Sequence, residues 1–194
     1  VFYTALVVKV ILSQHDLCFY NYLNSSKFNL TLGDSLTLFE EEYSLLNTSN
    51  IKFDVAIGNP PYVRSTRLTA IQKKRLRQQF PFTYSGNADL YFYFISSAIT
   101  SLKTDGILCF ISPANFFRSK AASQLRESIN NKSKLIKLID LDELPVFENA
   151  DIHTTIYWLQ RTQIQSRDTH FSYSHLTERN DLNKLKNGKL HFEK

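Results

Sequence analysis

The feature that most constrains the fold of this chain is an apolar stretch that runs directly into two consecutive prolines. Residues 53–58 read Phe-Asp-Val-Ala-Ile-Gly, and Asn59-Pro60-Pro61-Tyr62 follow at once. An apolar run without alternation predicts a strand buried on both faces, as in a parallel sheet covered by helices. Proline fixes φ and lacks an N–H, so the strand ends there in a rigid turn. Because ligands of open α/β sheets bind at the carboxyl ends of strands, this turn is the first candidate site.

The chemistry of the turn suits a planar group that carries an amino nitrogen. The side-chain oxygen of Asn59 and the backbone carbonyl of Pro60 can both accept hydrogen bonds. Two such acceptors on one exocyclic amine localise its lone pair and make the nitrogen more nucleophilic. The ring of Tyr62 can stack on the flat face of the substrate, a contact worth ~1–3 kcal/mol for a nucleobase. The alternative is a simple strand-ending turn, since Asn and Pro are common turn residues.

The rest of the chain alternates apolar strands with helical patterns, which predicts an α/β domain with a mostly parallel sheet. Predicted strands cover residues 28–32, 53–57, 107–111, 135–141, 152–159 and 168–174, and predicted helices cover residues 71–80, 89–102, 117–129 and 176–187. The strand at 152–159 is expected to be antiparallel, because no helix-length crossover precedes it. Gly106 is expected to stop the helix at 89–102. The polar composition beyond residue 165 predicts that residues 166–194 begin a linker or a further domain.

The positive charge of the chain is concentrated just behind the turn. The net charge is +5, and residues 55–88 contain no Asp or Glu. The six basic residues of this segment are Arg64, Arg67, Lys73, Lys74, Arg75 and Arg77. A solvated basic helix face is one interpretation, and a surface for a polyanion such as nucleic acid is the other. We favour the second, because the segment lies beside the candidate site and lacks acids entirely.

The cysteines and the first residues indicate a cytoplasmic protein with no membrane partner. Cys18 and Cys109 lie far apart in apolar settings, which fits buried thiols rather than a metal site or a disulfide framework. The opening apolar stretch is interrupted by Lys9 and is too short to span a bilayer. The chain starts with Val and contains no Met, so we interpret it as part of a longer polypeptide.

Four segments in order carry a resemblance to a known family. They are residues 30–36 (Leu-Thr-Leu-Gly-Asp-Ser-Leu), 53–62 with the Asn-Pro-Pro-Tyr turn, 89–113, and 145–155 (Pro-Val-Phe-Glu-Asn-Ala-Asp-Ile-His-Thr-Thr). Together they resemble the adenine-N6 DNA methyltransferases of type II restriction-modification systems, the Eco57I/TaqI-like group. The resemblance covers roughly residues 1–160. It implies a Rossmann-like, S-adenosylmethionine-dependent methyltransferase core that is incomplete, with residues 1–165 as the C-terminal part of the catalytic domain.

The resemblance implies that the substrate is an adenine flipped out of double-stranded DNA, because a base cannot react inside the stack. Asn59 and the Pro60 carbonyl would hold its N6, and Tyr62 and Phe147 would stack on its two faces. Phe147 as a core phenylalanine is the alternative to this role. By a charge argument alone, Arg64 and Arg67 are expected to bind phosphates near the flipped base. His153 is expected to lie on the late strand rather than in the catalytic site.

The cofactor implied by the resemblance is S-adenosylmethionine. Asp34 would hydrogen-bond the amino group of its adenine, although a helix N-cap is a serious alternative for this residue. Pro61 would pack near the cofactor. The family's glycine-rich cofactor loop has no counterpart among the five glycines. We therefore expect this chain to bind the cofactor weakly or not at all.

Alternatives to adenine in DNA stay open at this point. Glutamine-N5 protein methyltransferases and guanine-N2 RNA methyltransferases use a similar turn, since each methylates an amide or an aryl amine. A non-catalytic DNA-binding remnant is a further alternative from another class. A fused or cognate restriction endonuclease is the expected protein partner of a restriction-modification methyltransferase.

Overall fold

The computed structural model describes residue 36, residues 52–142, residue 144, and residues 152–163 and 170–193. The chain divides into two compact units, Val1–Ser49 and Asn50–Lys194. The second unit contains the sheet and the helices whose bounds follow. In the described part of the chain, no helix combines the length and the apolar character needed to cross a membrane.

The second unit is built on a mixed five-stranded sheet. Its strands are β1 (Phe53–Gly58), β2 (Leu102–Pro113), β3 (Ser133–Asp140), β4 (Thr154–Arg161) and β5 (Ser172–His175). The strand order is β1-β2-β4-β3-β5. Strand β4 is antiparallel to both of its neighbours, and the other four strands run in one direction. The expected α/β class and the antiparallel direction of the late strand are therefore confirmed.

The helices lie close to the segments that the sequence predicts. They are α1 (Ala70–Gln79), α2 (Leu90–Ser101), α3 (Ser123–Lys132) and α4 (Arg179–Lys186), with short 3-10 helices at Ser65–Arg67, Ala114–Phe117 and Lys120–Ala122. The prediction of one continuous helix over residues 117–129 is wrong in its first half. There Ser119 accepts a hydrogen bond from the Ala121 N–H, which starts a separate 3-10 turn. The α-helical part begins only at Ser123.

Aromatic side chains fill the space between α2 and the middle of the sheet. Tyr91 and Phe92 of α2 are buried, and Tyr91 meets Phe116 at a ring-centroid distance of 6.4 Å. Phe116 in turn packs 5.1 Å from Tyr157 of β4. The hydroxyl of Tyr157 is satisfied by Ser112 of β2 at 3.2 Å. This aromatic core therefore fixes α2 against β2 and β4.

Strand β1 forms where it is expected, but the expectation that it is buried is wrong. Phe53, Val55 and Ile57 have exposed fractions of 41%, 53% and 51%. The physical reason is that these three side chains share one face of a strand at the end of the sheet, and among the described elements β1 packs chiefly against β2. An apolar run predicts a strand in this case, but it does not give the strand's place in the sheet.

Gly106 does not stop α2 by adopting a left-handed conformation, contrary to the expectation. Asp105 is the residue with positive φ, at 64°. A Cβ atom on Gly106 would lie 2.9 Å from the Lys103 carbonyl oxygen and 3.1 Å from the carbonyl oxygens of Asp54 and Phe53. Glycine is therefore required here by the close approach of β1 and β2, whose register is irregular between Phe53 and Val55.

Candidate functional site

The Asn-Pro-Pro-Tyr turn lies at the carboxyl end of β1, beside the parallel strand β2. Asn59 and Pro61 are exposed, whereas Pro60 is buried. Within the described residues, the Asn59 side chain has no hydrogen-bond partner, so its amide is available to a ligand. The backbone before it passes close to β2, since a Cβ atom on Gly58 would lie 3.3 Å from Cε1 of Phe110. The turn thus presents a free amide from a backbone packed tightly on the sheet.

The ring of Tyr62 is fixed from two sides. Its hydroxyl donates a hydrogen bond to the Ile111 carbonyl oxygen near the end of β2, at 3.3 Å. Its ring meets Tyr91 of α2 edge-on, with centroids 6.3 Å apart and an interplanar angle of 66°. Burial raises the pKa of Tyr62, so the hydroxyl remains a donor well above neutral pH. The ring is therefore held in one orientation. Its role in stacking on a substrate stays a prediction.

Asp89 anchors the loop that follows the turn, and sequence reasoning missed this role. Its carboxylate accepts the Ser65 N–H at 2.9 Å, and the Leu90 N–H donates to the Val63 carbonyl oxygen at 2.9 Å. Asp89 occupies the N-cap position of α2 but makes no side-chain capping bond. An aspartate before a helix is ordinarily interpreted as a cap. The only sequence signal for its actual role is its place in the segment 89–113 that follows the basic stretch.

Arg64 and Arg67 lie on the loop that Asp89 anchors, directly after Tyr62. Both are exposed, as are Lys74, Arg75 and Arg77 of α1, whereas Lys73 is half-buried. None of these six cations forms an ion pair with an acid in the part of the chain that the structure describes. The surface next to the turn therefore carries uncompensated positive charge.

Two of the predicted site residues, Asp34 and Phe147, lie outside the described residues. Phe147 lies in the sequence between β3 and β4. Asp140, the last residue of β3, contacts His153, which directly precedes β4. Strand β3 runs parallel to β1, so Asp140 at the end of β3 lies at the same edge of the sheet as Asn59. His153 lies one residue before β4, close to its expected place on the late strand. The structure thus places Asn59, Pro60, Pro61, Tyr62, Arg64 and Arg67 together.

Replacing Tyr62 by Phe is expected to lower the free energy of unfolding by about 1 kcal/mol, because the Ile111 carbonyl loses its side-chain donor while the ring remains. Urea unfolding curves measure this change. Tyr173→Phe is the matched control, since in the described structure no hydrogen bond involves the Tyr173 hydroxyl. Equal stability of the Tyr62→Phe and Tyr173→Phe proteins would show that the hydroxyl does not fix the ring.

Comparisons with known proteins show what the chain is similar to. The model of the Eco57I restriction-modification methylase family matches residues 9–147. The type II restriction enzyme and methyltransferase RM.Eco57I of Escherichia coli is 32% identical over 144 residues, which are 69% of this chain and 14% of that protein. The type II methyltransferase M.HincII of Haemophilus influenzae is 36% identical over 108 residues, 55% of this chain and 22% of that protein. The chain therefore spans less than a quarter of the length of either relative.

Solved structures share the fold. One is a class I S-adenosylmethionine-dependent methyltransferase from Listeria monocytogenes, with a TM-score of 0.53 and 18% identity, covering 71% of this chain and 43% of that chain. Another is DrdV, solved in complex with DNA, with a TM-score of 0.54 and 20% identity over 79% of this chain and 18% of that chain. At these identities the likeness concerns the fold alone, and the fold is that of class I methyltransferases.

Proposed function

The chain belongs to the Eco57I restriction-modification methylase family, and we propose that the whole protein transfers a methyl group from S-adenosylmethionine to N6 of adenine in DNA. The observation that carries this proposal is the free amide of Asn59, exposed at the carboxyl end of β1 beside the fixed ring of Tyr62. An exposed amide and an aromatic ring on a rigid backbone fit a planar base with an exocyclic amine.

Asn59 and the Pro60 carbonyl act together on the target amine. Adenine N6 is neutral at pH 7, so its nitrogen needs no base before it attacks. The Asn59 oxygen and the Pro60 backbone oxygen accept hydrogen bonds from its two N–H groups. These bonds draw the nitrogen toward a tetrahedral geometry. These hydrogen bonds strengthen as charge develops on the nitrogen, so they favour the transition state over the bound substrate. S-adenosylmethionine, when bound, would supply an activated methyl group on its sulfonium and would leave as the neutral thioether, and the methylated nitrogen would release one N–H proton to solvent.

The described residues fit this methyl donor at one point. Pro61 is exposed between Asn59 and Tyr62, and its ring offers an apolar surface at the sheet edge where ligands bind in this fold. Asp34, outside the described residues, is the proposed partner of the cofactor's adenine.

The target adenine is proposed to leave the duplex before it reacts. Extrusion costs a few kcal/mol in unstacking and unpairing. Stacking on Tyr62 and on Phe147 offsets this cost, because base–aromatic contacts are worth ~1–3 kcal/mol each. Arg64 and Arg67, exposed and without acidic partners in the described structure, are proposed to hold the phosphates beside the extruded nucleotide.

Double-stranded DNA and a restriction endonuclease are the proposed partners. The uncompensated positive charge behind the turn supports a polyanion as substrate. DrdV is solved with DNA, and the Escherichia coli relative is a restriction enzyme and methyltransferase in one chain. These properties of other proteins support DNA as the substrate here, and they support an endonuclease that is fused or cognate.

A substrate comparison tests the proposal. The protein, expressed from its complete reading frame, is given a methyl donor with an isotopically labelled methyl group, together with unmethylated duplex DNA, total RNA or a protein extract. We expect label in DNA alone. Label in RNA alone would favour guanine as the acceptor, label in protein alone would favour glutamine, and either result would contradict the proposal.

A further inference from the structure

Phe82 is the most exposed large apolar side chain recorded in the described structure, with an exposed fraction of 82%. It follows α1 in a turn of the sequence Phe80-Pro81-Phe82-Thr83. Its neighbour Thr83 has an exposed fraction of only 2%. Ile71 at the start of α1 is almost as exposed, at 81%, so the basic segment presents two apolar side chains to solvent.

The turn that carries Phe82 is held rigidly from below. The buried hydroxyls of Thr83 and Ser96 are 3.0 Å apart, which ties the turn to α2. The N–H groups of Thr83 and Tyr84 both donate to the Phe80 carbonyl oxygen, at 3.0 Å and 2.8 Å. The Phe80 ring packs 5.3 Å from that of Tyr93. The exposure of Phe82 is therefore a consequence of a turn whose backbone is held in place.

The helix before this turn contributes little to the core. Leu76 is the buried residue of α1. The helix begins with a reciprocal capping box between Thr69 and Gln72, which stabilises it without burial. Its exposed Lys74, Arg75 and Arg77 have no acidic partner in the described structure. A capped, nearly fully solvated helix with cations and no acids matches the charge of a nucleic-acid backbone.

We propose that Phe82 is a wedge that inserts between base pairs of duplex DNA while the cations of α1 bind the phosphates beside it. This inference rests on the proposed function in taking DNA as the partner. Apolar side chains inserted at a base step unstack it and kink the duplex. An extruded adenine leaves a gap in the stack, and a rigid aromatic ring can fill it.

The position of Phe82 fits the same duplex as the Asn-Pro-Pro-Tyr turn. Asp89 ties the loop after Tyr62 to the start of α2, and Ser96 ties the Phe82 turn to the same helix. These two anchors are seven residues apart, about 10 Å along the helix axis. That separation is about three phosphate spacings along one DNA strand, so one bound duplex can contact both places.

Binding and bending of DNA by the chain test the wedge. The probe is a mixed-sequence duplex with one mismatched adenine, carrying a fluorescent donor and acceptor at its two ends. We expect Phe82→Ala to lower affinity about 10-fold and to remove the kink reported by energy transfer. Because the lost contact is uncharged, the slope of log affinity against log salt stays unchanged, whereas Lys74→Gln lowers its magnitude by about 0.9.

Two further variants serve as controls. Phe82→Leu should keep most of the kink, since leucine also acts as a wedge. Phe171→Ala removes an exposed phenylalanine outside the basic segment and should change neither affinity nor kink. Circular dichroism confirms that each variant is folded.

Three results would overturn the wedge. The first is a kink that is unchanged in Phe82→Ala. The second is that Phe82→Ala loses as much affinity for single-stranded DNA as for the duplex, while the unaltered chain does not kink the duplex. The third is that the unaltered chain does not bind the duplex at low salt. The assay is independent of methyl transfer. A protein that kinks DNA through Phe82 but methylates nothing would leave the wedge standing and remove the proposed function. Normal methyl transfer, with no effect of Phe82→Ala on DNA binding or kinking, would leave the proposed function standing and overturn the wedge.

Discussion

Asn59→Ala is expected to lower the turnover of methyl transfer by about 10²–10³-fold, the usual loss when one preorganised hydrogen-bonding group of the transition state is removed. The Asn59 amide is exposed at the carboxyl end of β1 and has no other partner in the described structure. Its bond to the target nitrogen matters most as that nitrogen becomes tetrahedral. The substitution should therefore lower kcat and kcat/KM together and change DNA affinity little.

Steady-state methyl transfer and DNA binding, measured side by side, separate these effects. Asn130→Ala is the matched control, since Asn130 is an exposed asparagine on α3. It should retain full turnover. An Asn59→Ala protein that turns over at the unaltered rate would remove Asn59 from the mechanism. One that loses turnover only through weaker DNA binding would assign it to substrate capture instead.

Gly106→Ala is expected to lower the free energy of unfolding by about 3 kcal/mol, the upper part of the usual range for overpacking. A Cβ atom there would lie 2.9 Å from the Lys103 carbonyl oxygen and 3.1 Å from two carbonyl oxygens of β1. All three contacts are backbone atoms, so no side-chain rotation relieves them. The strand pair β1 and β2, which carries Asn59 at its end, has to shift.

Gly86→Ala provides the control for this prediction, because nothing lies within 4 Å of a Cβ atom at Gly86. It should be neutral or stabilising by up to about 1 kcal/mol, since alanine reduces the entropy of the unfolded chain. The midpoints of urea unfolding report both changes. Gly106→Ala as stable as Gly86→Ala would mean that β1 and β2 approach less closely than the structure indicates.

The elements of the fold could be predicted because their signals are local. The direction of β4 could be predicted from the ten residues between the predicted strands 135–141 and 152–159, because parallel strands need a connection of about a dozen residues or more. The exposure of β1 could not be predicted, because it depends on the order β1-β2-β4-β3-β5, which arises from contacts distant in sequence. The same holds for Gly106, because two of its three close neighbours are carbonyl oxygens of Phe53 and Asp54 on β1, far away in sequence.

The candidate site divides in the same way. Asn59, Pro60, Pro61 and Tyr62 are contiguous, so their common location follows from the turn itself. The hydrogen bonds that fix these residues could not be predicted from the turn. Tyr62 donates to Ile111, and Ser65 donates to Asp89, and both partners are distant in sequence. No sequence motif distinguishes Asp89 or Phe82. Their roles depend on what the fold places next to them.

The central claim is methylation at adenine N6, and the nucleosides of methylated DNA test it most directly. Unmethylated DNA is incubated with S-adenosylmethionine and the protein expressed from its complete reading frame, then digested and separated by chromatography with mass detection. We predict N6-methyladenine with the unaltered protein and almost none with Asn59→Ala. A methyl group on any other base, or no methylated nucleoside at all, would contradict the claim.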